Sequence, residues 1–109
     1  MELRPYTAAN GRCPFAEWLG SLSDMALLKV NAALGKMQNG NLSNTKSVGG
    51  GVLEYRIDFG PGYRLYFGRD GDILIIMLGG GDKRRQQRDI DAAISFWREY
   101  QHGKPRSRV

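Results

Sequence analysis

The sequence has very little of what disulfides and metal centres require. Its 109 residues include one cysteine, Cys13, and one histidine, His102. A chain with a single cysteine cannot form an internal disulfide, and two isolated ligands are too few for a zinc site. We therefore expect no metal and no cofactor.

Long hydrophobic runs are also missing. The longest apolar run is ILIIMLG at 73–79, far short of the roughly 18–20 residues that a membrane-spanning helix needs. The first residues, MELRPYT, are charged and lack the apolar core of an export signal. We expect a cytoplasmic protein without a membrane span, folded as one domain over residues 1–109.

Positive charge, by contrast, is abundant and unevenly placed. The net charge is +5, and the acidic and basic residues of 1–82 balance. Residues 83–109 hold eight lysines and arginines against three acidic residues. A concentrated basic surface is typical of proteins that bind nucleic acid or an acidic partner, although a basic tail that serves only solubility would look the same.

Hydrophobic periodicity predicts an α+β domain with the order β-α-α-β-β-β-α. The sheet is expected to be mainly antiparallel, with the helices packed on one face. A short first strand containing Pro5 belongs at a sheet edge. Trp18 and Trp97 lie on apolar helical stripes, which predicts that both are core residues. The remaining predicted elements are an αα-hairpin between Pro14 and Gly40, a polar loop at 41–51, strands at 52–59, 63–68 and 73–78, and a helix from about Gln86 that Gly103 and Pro105 end.

The stretch IDFGPGYRLYF (57–67) reads as two alternating strands around Gly-Pro-Gly. A two-residue loop would place apolar side chains opposite polar ones, whereas a three-residue loop, Gly60–Gly62, aligns the apolar side chains with one another. This loop predicts Asp58 opposite Arg64 and Arg56 opposite Tyr66. The other face of these strands is then open and carries a polar row: Glu54, Arg56, Asp58, Arg64 and Tyr66.

This polar row has two interpretations. It could be a solvated sheet face with ordinary exposed ion pairs, each worth about 0.2–1 kcal/mol. It could also be a site, because Lys83 leaves the end of the last strand where it can reach the same face. The glycines at 49–51 and 79–81 lack the spacing of nucleotide-binding loops, so turns, a bulge or close backbone approach explain them better.

A site built on Arg56, Arg64 and Lys83 would suit a phosphate, because a guanidinium binds phosphate by a fixed fork and stays charged. Several cations around one phosphate would stabilise the transition state of RNA cleavage, in which the 2′-hydroxyl attacks its own phosphorus. Arginine is a poor general base at neutral pH. Proton transfer would therefore fall to Glu54, Tyr66 or Lys83.

Two stretches, GVLEYRIDFGPGYRLYF (51–67) and LGGGDKRRQQRDIDAA (78–93), resemble the RelE/ParE-like toxins of bacterial type II toxin–antitoxin modules. The resemblance is greatest to the HigB-like, phage-related addiction-module killer branch, and it spans nearly the whole chain. Its most specific parts are E-x-R-I-x-x-G-P-G-Y-R, and G-G-D-K followed by a polar helix start.

The resemblance implies a RelE-like fold and a metal-independent endoribonuclease that cuts mRNA on the ribosome. The catalytic set would be Arg56, Arg64 and Lys83, with Glu54 and Tyr66. RNA contacts are predicted for three further arginines: Arg84, Arg85 and Arg88. Several toxins of this kind carry a tyrosine or histidine on or after the last helix, whereas Gln86–Ala93 has neither and only Tyr100 and His102 follow.

The partner implied by the resemblance is a cognate antitoxin, a short helix-turn-helix protein. Two other activities fit the same resemblance. One is inhibition of DNA gyrase, as in the ParE branch. The other is a catalytically degenerate toxin that acts only with its antitoxin in operon autoregulation. The sequence leaves the oligomeric state and the cleavage specificity open.

Overall fold

The computed structural model describes residues 1–103, which form an α+β domain around one five-stranded mixed sheet. Pro105, predicted to follow the last helix, lies outside the described residues. The strand order is β1-β5-β4-β3-β2, with β1 parallel to β5 and the other pairs antiparallel. The elements are β1 (Glu2–Pro5), α1 (Pro14–Gly20), α2 (Asp24–Gln38), β2 (Thr45–Gly49), β3 (Val52–Ile57), β4 (Tyr63–Asp70), β5 (Leu74–Gly81), a 3₁₀ turn (Lys83–Arg85) and α3 (Gln86–Gly103).

The helical hairpin is confirmed, and its boundaries follow local chemistry. The Ser23 hydroxyl accepts a hydrogen bond from the Ala26 backbone N–H, which caps α2 at its N-terminus. Asn39 ends the helix, and Gly40 follows with a φ of 83°. The first strand lies at the sheet edge, where Pro5 leaves no strand hydrogen bond unmade.

The structure contains a strand that periodicity does not predict, because β2 lies within the expected polar loop. Most of its side chains face solvent at the sheet edge, so it lacks an alternating apolar pattern. The glycines at 49–51 turn the chain into β3 with positive φ and lie against α3. A Cβ on Gly50 would approach Ile94 to 2.8 Å, and one on Gly51 would approach the Trp97 indole equally closely. This cluster therefore combines a turn with close approach, as expected.

Helices cover both faces of the sheet, so the prediction that they pack on one face is wrong. The first face packs against α1 and α2 and the second against α3. Both faces must be covered because β5 is apolar on both of them. Its Ile75 and Met77 belong to one core cluster, and its Ile76 and Leu78 belong to the other. The second core cluster joins sheet and α3 residues: Tyr6, Val52, Tyr66, Ile76, Leu78, Ile90, Ala93 and Trp97.

The predicted register of the β3–β4 hairpin is wrong by two residues. Ile57 pairs with Tyr63, so the loop spans 58–62. Hydrogen bonds from Phe59 N–H to the Ile57 carbonyl and from Gly62 N–H to the Phe59 carbonyl close the loop internally. A shift of two residues keeps every side chain on its predicted face, so burial alone could not exclude it. Arg56 consequently lies opposite Arg64, and Glu54 opposite Tyr66.

No helix within residues 1–103 combines the length and the apolar character needed to cross a bilayer.

Two tyrosine–carboxylate hydrogen bonds attach α3 to the sheet. Tyr6 Oη donates to Glu99 Oε2 at 2.6 Å, and Tyr100 Oη donates to Asp70. Burial, reinforced by these hydrogen bonds, raises the pKa of Tyr6 and of Tyr100 to about 12. Both hydroxyls are thus protonated in the folded protein at a pH where they begin to ionise in the unfolded chain.

We expect this attachment to weaken at alkaline pH. Its contribution to the free energy of unfolding is complete below pH ~10, the ordinary pKa of tyrosine, and is lost as pH rises through about 12. Urea denaturation followed by circular dichroism between pH 8 and 12 measures the loss. A Tyr6→Phe, Tyr100→Phe double variant should be less stable at pH 8 and lose less stability above pH 10. Identical pH slopes for the two proteins would contradict this account.

Candidate active site

The polar row of β3 and β4 lies beside a small cleft between these strands, β2 and the chain that leads into β2. Its volume is about 200 Å³. We call it the Glu54 cleft. Its lining residues are Asn44, Thr45, Lys46, Glu54, Arg56 and Arg64.

Among the described residues that line this cleft, Glu54 is the only one with a carboxylate, and it is 1% exposed. Its Oε2 accepts a hydrogen bond of 3.0 Å from Gln86 Nε2, at the start of α3. Its Oε1 lies 3.8 Å from Arg64 Nε and 3.9 Å from Lys46 Nζ. A buried carboxylate requires such partners, and these come from a helix and from both neighbouring strands.

The two arginines of the cleft differ in their exposure to solvent. Arg64 is 5% exposed, and its Nη1 donates to the Gly62 carbonyl at 2.6 Å. The side chain of Arg56 is 62% exposed, and its Nε lies 3.3 Å from Asp58. Asp58 therefore pairs with Arg56 and not with Arg64, as a consequence of the register shift. Arg64 is a fixed part of the cleft wall, whereas Arg56 is a solvent-exposed cation at the rim, paired with Asp58.

Tyr66 does not line the cleft; it is fully buried in the core beneath α3. Among the described residues, no group meets its hydroxyl in hydrogen-bond geometry. Burial first, and then the negative charge of Glu54, raise the pKa of Tyr66 far above the ordinary value. The expectation of an open sheet face is thus wrong, since α3 covers Tyr66 and reaches Glu54.

The basic residues after β5 are exposed on the 3₁₀ turn and the first turn of α3. Arg84 Nη2 lies 3.1 Å from Asp82 Oδ2, and this pair raises the pKa of Arg84 and lowers that of Asp82. Lys83 is exposed and does not line the Glu54 cleft. The predicted RNA-contact residues Arg84, Arg85 and Arg88 are all accessible to a ligand.

A second cleft, of about 530 Å³, lies where β5 leaves the sheet between α1 and α3. We call it the Trp18 cleft. A β-bulge at Leu78 precedes it, because Tyr66 pairs with Gly79 and Phe67 with Met77. A Cβ on Gly80 would overlap the Trp18 indole. The lining residues are Trp18, Gly80, Gly81, Asp82, Arg84, Arg85 and Asp89.

The glycine cluster at 79–81 therefore combines a bulge with close approach, as expected. Trp97 is a core residue as predicted, whereas Trp18 is only half-buried and forms a cleft wall. Sequence reasoning missed two contacts of Glu54, Lys46 and Gln86, and two further lining residues, Asn44 and Thr45. A signal for Lys46 existed, since Val48 and Val52 flank three glycines in the pattern of a hairpin turn.

Within residues 1–103, no group of three or more histidine, cysteine, aspartate or glutamate side chains could hold a metal ion. The chemistry available in the Glu54 cleft comes from one carboxylate and three cations. The cations can bind a phosphodiester, and the carboxylate can accept a proton.

No family model matches the sequence. An uncharacterized protein of Haemophilus influenzae is similar to it, with 44% identity over 80 residues. The similar region covers 72% of this chain and 81% of that protein.

Proposed function

The chain belongs to the same family as this Haemophilus influenzae protein, and we propose that it is the toxin of a type II toxin–antitoxin module. The proposal places it in the HigB-like branch of the RelE/ParE-like toxins, with a RelE-like version of the α+β fold. Its activity is metal-independent endonucleolytic cleavage of mRNA on the ribosome, which stops translation. Its partner is a helix-turn-helix antitoxin, and its target places it in the cytoplasm.

One observation carries the proposal, namely a single carboxylate surrounded by three cations in a small cleft. Lys46, Arg56 and Arg64 give the Glu54 cleft a net positive charge, which favours a phosphodiester over a neutral ligand. The side chains of Lys46 and Arg56 are 68% and 62% exposed, so both can reach a phosphate in the cleft. Arg64 is already fixed, and a preorganised charge stabilises a transition state without reorganising.

The proposed reaction uses these groups in separate roles. Glu54 takes the proton of the 2′-hydroxyl, whose oxygen attacks the adjacent phosphorus. The bond from phosphorus to the 5′-oxygen breaks, and that oxygen takes a proton from water. The products are a 2′,3′-cyclic phosphate and a 5′-hydroxyl. Arg56, Arg64 and Lys46 neutralise the charge that develops on the phosphate oxygens.

The remaining predicted residues take other roles in this proposal. Tyr66 cannot serve as a general base, because burial and the nearby carboxylate disfavour its phenolate. It supports the strand that carries Glu54. Lys83, Arg84 and Arg88 are exposed and contact phosphates flanking the cleaved bond, whereas Arg85 lies in the lining of the Trp18 cleft.

Expression of the protein in a bacterial host tests the activity. We expect growth arrest and new mRNA 5′ ends within coding regions, and Arg56→Ala should reduce cleavage by roughly 10²-fold, as for loss of one charge partner. Arg69→Ala is the matched control, because Arg69 is also exposed on the sheet but lies outside the Glu54 cleft. Intact transcripts would refute the nuclease, and equal cleavage by Arg56→Ala and wild type would refute the Glu54 cleft as its site. Stalled gyrase–DNA complexes with intact RNA would instead identify a gyrase inhibitor.

A second candidate function is a degenerate toxin that represses its operon together with the antitoxin. Burial favours it, because Arg64 is 5% exposed and Tyr66 is fully enclosed. In addition, neither a histidine nor a tyrosine is among the described residues that line the Glu54 cleft. Such a protein would bind its antitoxin yet leave growth and RNA unchanged. The expression test separates the two candidates directly.

A further inference from the structure

The Trp18 cleft takes no part in the proposed chemistry, yet it contains the elements of a ligand site. Its volume of about 530 Å³ lies within the roughly 300–1,000 Å³ typical of small-molecule pockets. The indole of Trp18 supplies a planar apolar wall, and Asp89 and Arg85 supply opposite charges at the start of α3. The described residues around it also form a second, smaller hollow that shares Trp18, Gly80 and Asp89 with this cleft.

The carboxylate of Asp89 is available to a ligand. It is half-buried against Gly81, and within residues 1–103 it makes no hydrogen bond and no ion pair within 4 Å. The nearby carboxylates are engaged, since Asp82 binds Arg84 and Asp91 accepts from Gln87. Burial raises the pKa of Asp89, as expected for a carboxylate that lacks hydrogen-bond donors.

Arg85 supplies the complementary donor. Its guanidinium is exposed in the lining of the same cleft, and in the described part of the chain it has no ion-pair partner. Its charge acts on Asp89 from beyond ion-pair distance. The Asp89 carboxylate, an acceptor, and the Arg85 guanidinium, a cationic donor, thus line the same cleft beside the Trp18 indole.

Among nucleobases, guanine matches this arrangement best. Its N1–H and N2–H₂ groups are adjacent donors that one carboxylate can accept together, and its O6 and N7 atoms are acceptors for arginine. The Watson–Crick edges of adenine, cytosine and uracil each present a single donor group. A base of any kind gains from packing on an indole, so the indole supplies affinity and the Asp89–Arg85 pair supplies selectivity.

We propose that the Trp18 cleft is a guanine-nucleotide site, in which Asp89 accepts hydrogen bonds from the base, Arg85 donates to it and Trp18 packs against its plane. The nucleotide is either free or part of an RNA chain. The second case rests on the proposed nuclease function, and it is geometrically consistent. Arg64 in the Glu54 cleft is the strand partner of Gly81 in the Trp18 cleft, so the two clefts are reached from neighbouring positions on β4 and β5.

Titration of the ¹⁵N-labelled protein with the four nucleoside 5′-monophosphates tests the site. The protein has two indole N–H groups, and that of Trp18 should shift with GMP while that of Trp97, a core residue, stays in place. We expect AMP, CMP and UMP to bind at least ~10-fold more weakly than GMP, given the worth of a bidentate base contact. Inosine monophosphate, which lacks the N2 amino group, should fall between GMP and AMP.

Asp89→Asn should weaken GMP binding by roughly 10- to 100-fold, because it replaces an oxygen acceptor by an amide donor. Asp91→Asn is the matched control, since Asp91 is an exposed carboxylate on the same helix and outside the cleft. The Trp97 resonance reports whether each variant is folded. If Asp89→Asn does not fold, Arg85→Gln replaces it, with the same expected direction.

Equal binding of the four nucleotides would show recognition of phosphate alone and overturn the inference, as would the absence of a Trp18 shift at millimolar GMP. The RNA oligonucleotides AAGAAA and AAAAAA distinguish a site for a base in RNA from a site for a free nucleotide. A site for RNA should bind AAGAAA more tightly than GMP and more tightly than AAAAAA, whereas a site for a free nucleotide should bind GMP more tightly than AAGAAA. GMP binding by a wild type that cleaves no RNA would refute the proposed function and leave this site standing. RNA cleavage by a protein that shows no preference for GMP would support the proposed function and refute the guanine site.

Discussion

Replacing Glu54 by glutamine is expected to lower the rate of RNA cleavage by roughly 10²–10⁴-fold, the usual contribution of a general base. Glutamine has the shape of glutamate, and its amide oxygen can still accept the hydrogen bond from Gln86. The charge that draws Lys46 and Arg64 to Oε1 is removed, and with it the proton acceptor. Cleavage of a defined mRNA on purified ribosomes, followed by primer extension, measures the rate.

The matched control for this variant is Asp58→Asn. Asp58 is exposed and pairs with Arg56, so its loss changes the charge at the rim without touching the Glu54 carboxylate. We expect its cleavage rate to stay within a fewfold of wild type. If Asp58→Asn were as damaging as Glu54→Gln, net charge and not a placed carboxylate would explain the activity.

The second large effect is expected from Arg64→Met, which keeps the length of the side chain but removes its charge. The variant should lose roughly 10²–10³-fold in cleavage, as for a preorganised charge partner. It should also lose about 3 kcal/mol of stability, because a buried carboxylate loses a buried partner. Lys46 and Gln86 remain near Glu54, so we expect the variant to stay folded. Chemical denaturation and the cleavage assay measure the two losses separately.

A double variant, Glu54→Gln with Arg64→Met, separates catalysis from stability. Removing both members of a buried pair is often nearly neutral, so most of the lost stability should return. Cleavage should not return, because both the proton acceptor and the fixed cation are missing. Activity that recovered together with stability would mean that the pair is only structural, and it would favour the degenerate toxin.

Much of the fold could be predicted from the sequence, because periodicity reports directly which side chains are buried. The αα-hairpin, the start of the last helix and the two-sided burial of β5 all follow from apolar spacing and capping residues. The edge strand β2 could not be predicted in this way, since one of its faces meets solvent and it carries little apolar signal. The prediction of the hairpin register was wrong because a shift of two residues leaves the pattern of burial unchanged.

The candidate site was predictable only in part. The residue types and their strand parity placed Glu54, Arg56 and Arg64 on one face, which the structure confirms. The burial of Glu54 and Arg64 was not predictable, because it depends on α3 crossing that face. Lys46 reaches the cleft through the unpredicted strand β2. Gln86 donates to Glu54 because α3 packs on that face of the sheet, which was not predicted.

The class of fold, the faces of the strands and the excess of cations after residue 82 can be derived from composition and spacing, because these are local properties of the chain. Which cations share a carboxylate depends instead on how distant elements pack together. It joins β2, β3 and β4 around Glu54 and brings Gln86 onto the same oxygen pair. Contacts between residues 32 positions apart depend on how helices pack on the sheet, and that packing is the outcome of burying all apolar surfaces at once.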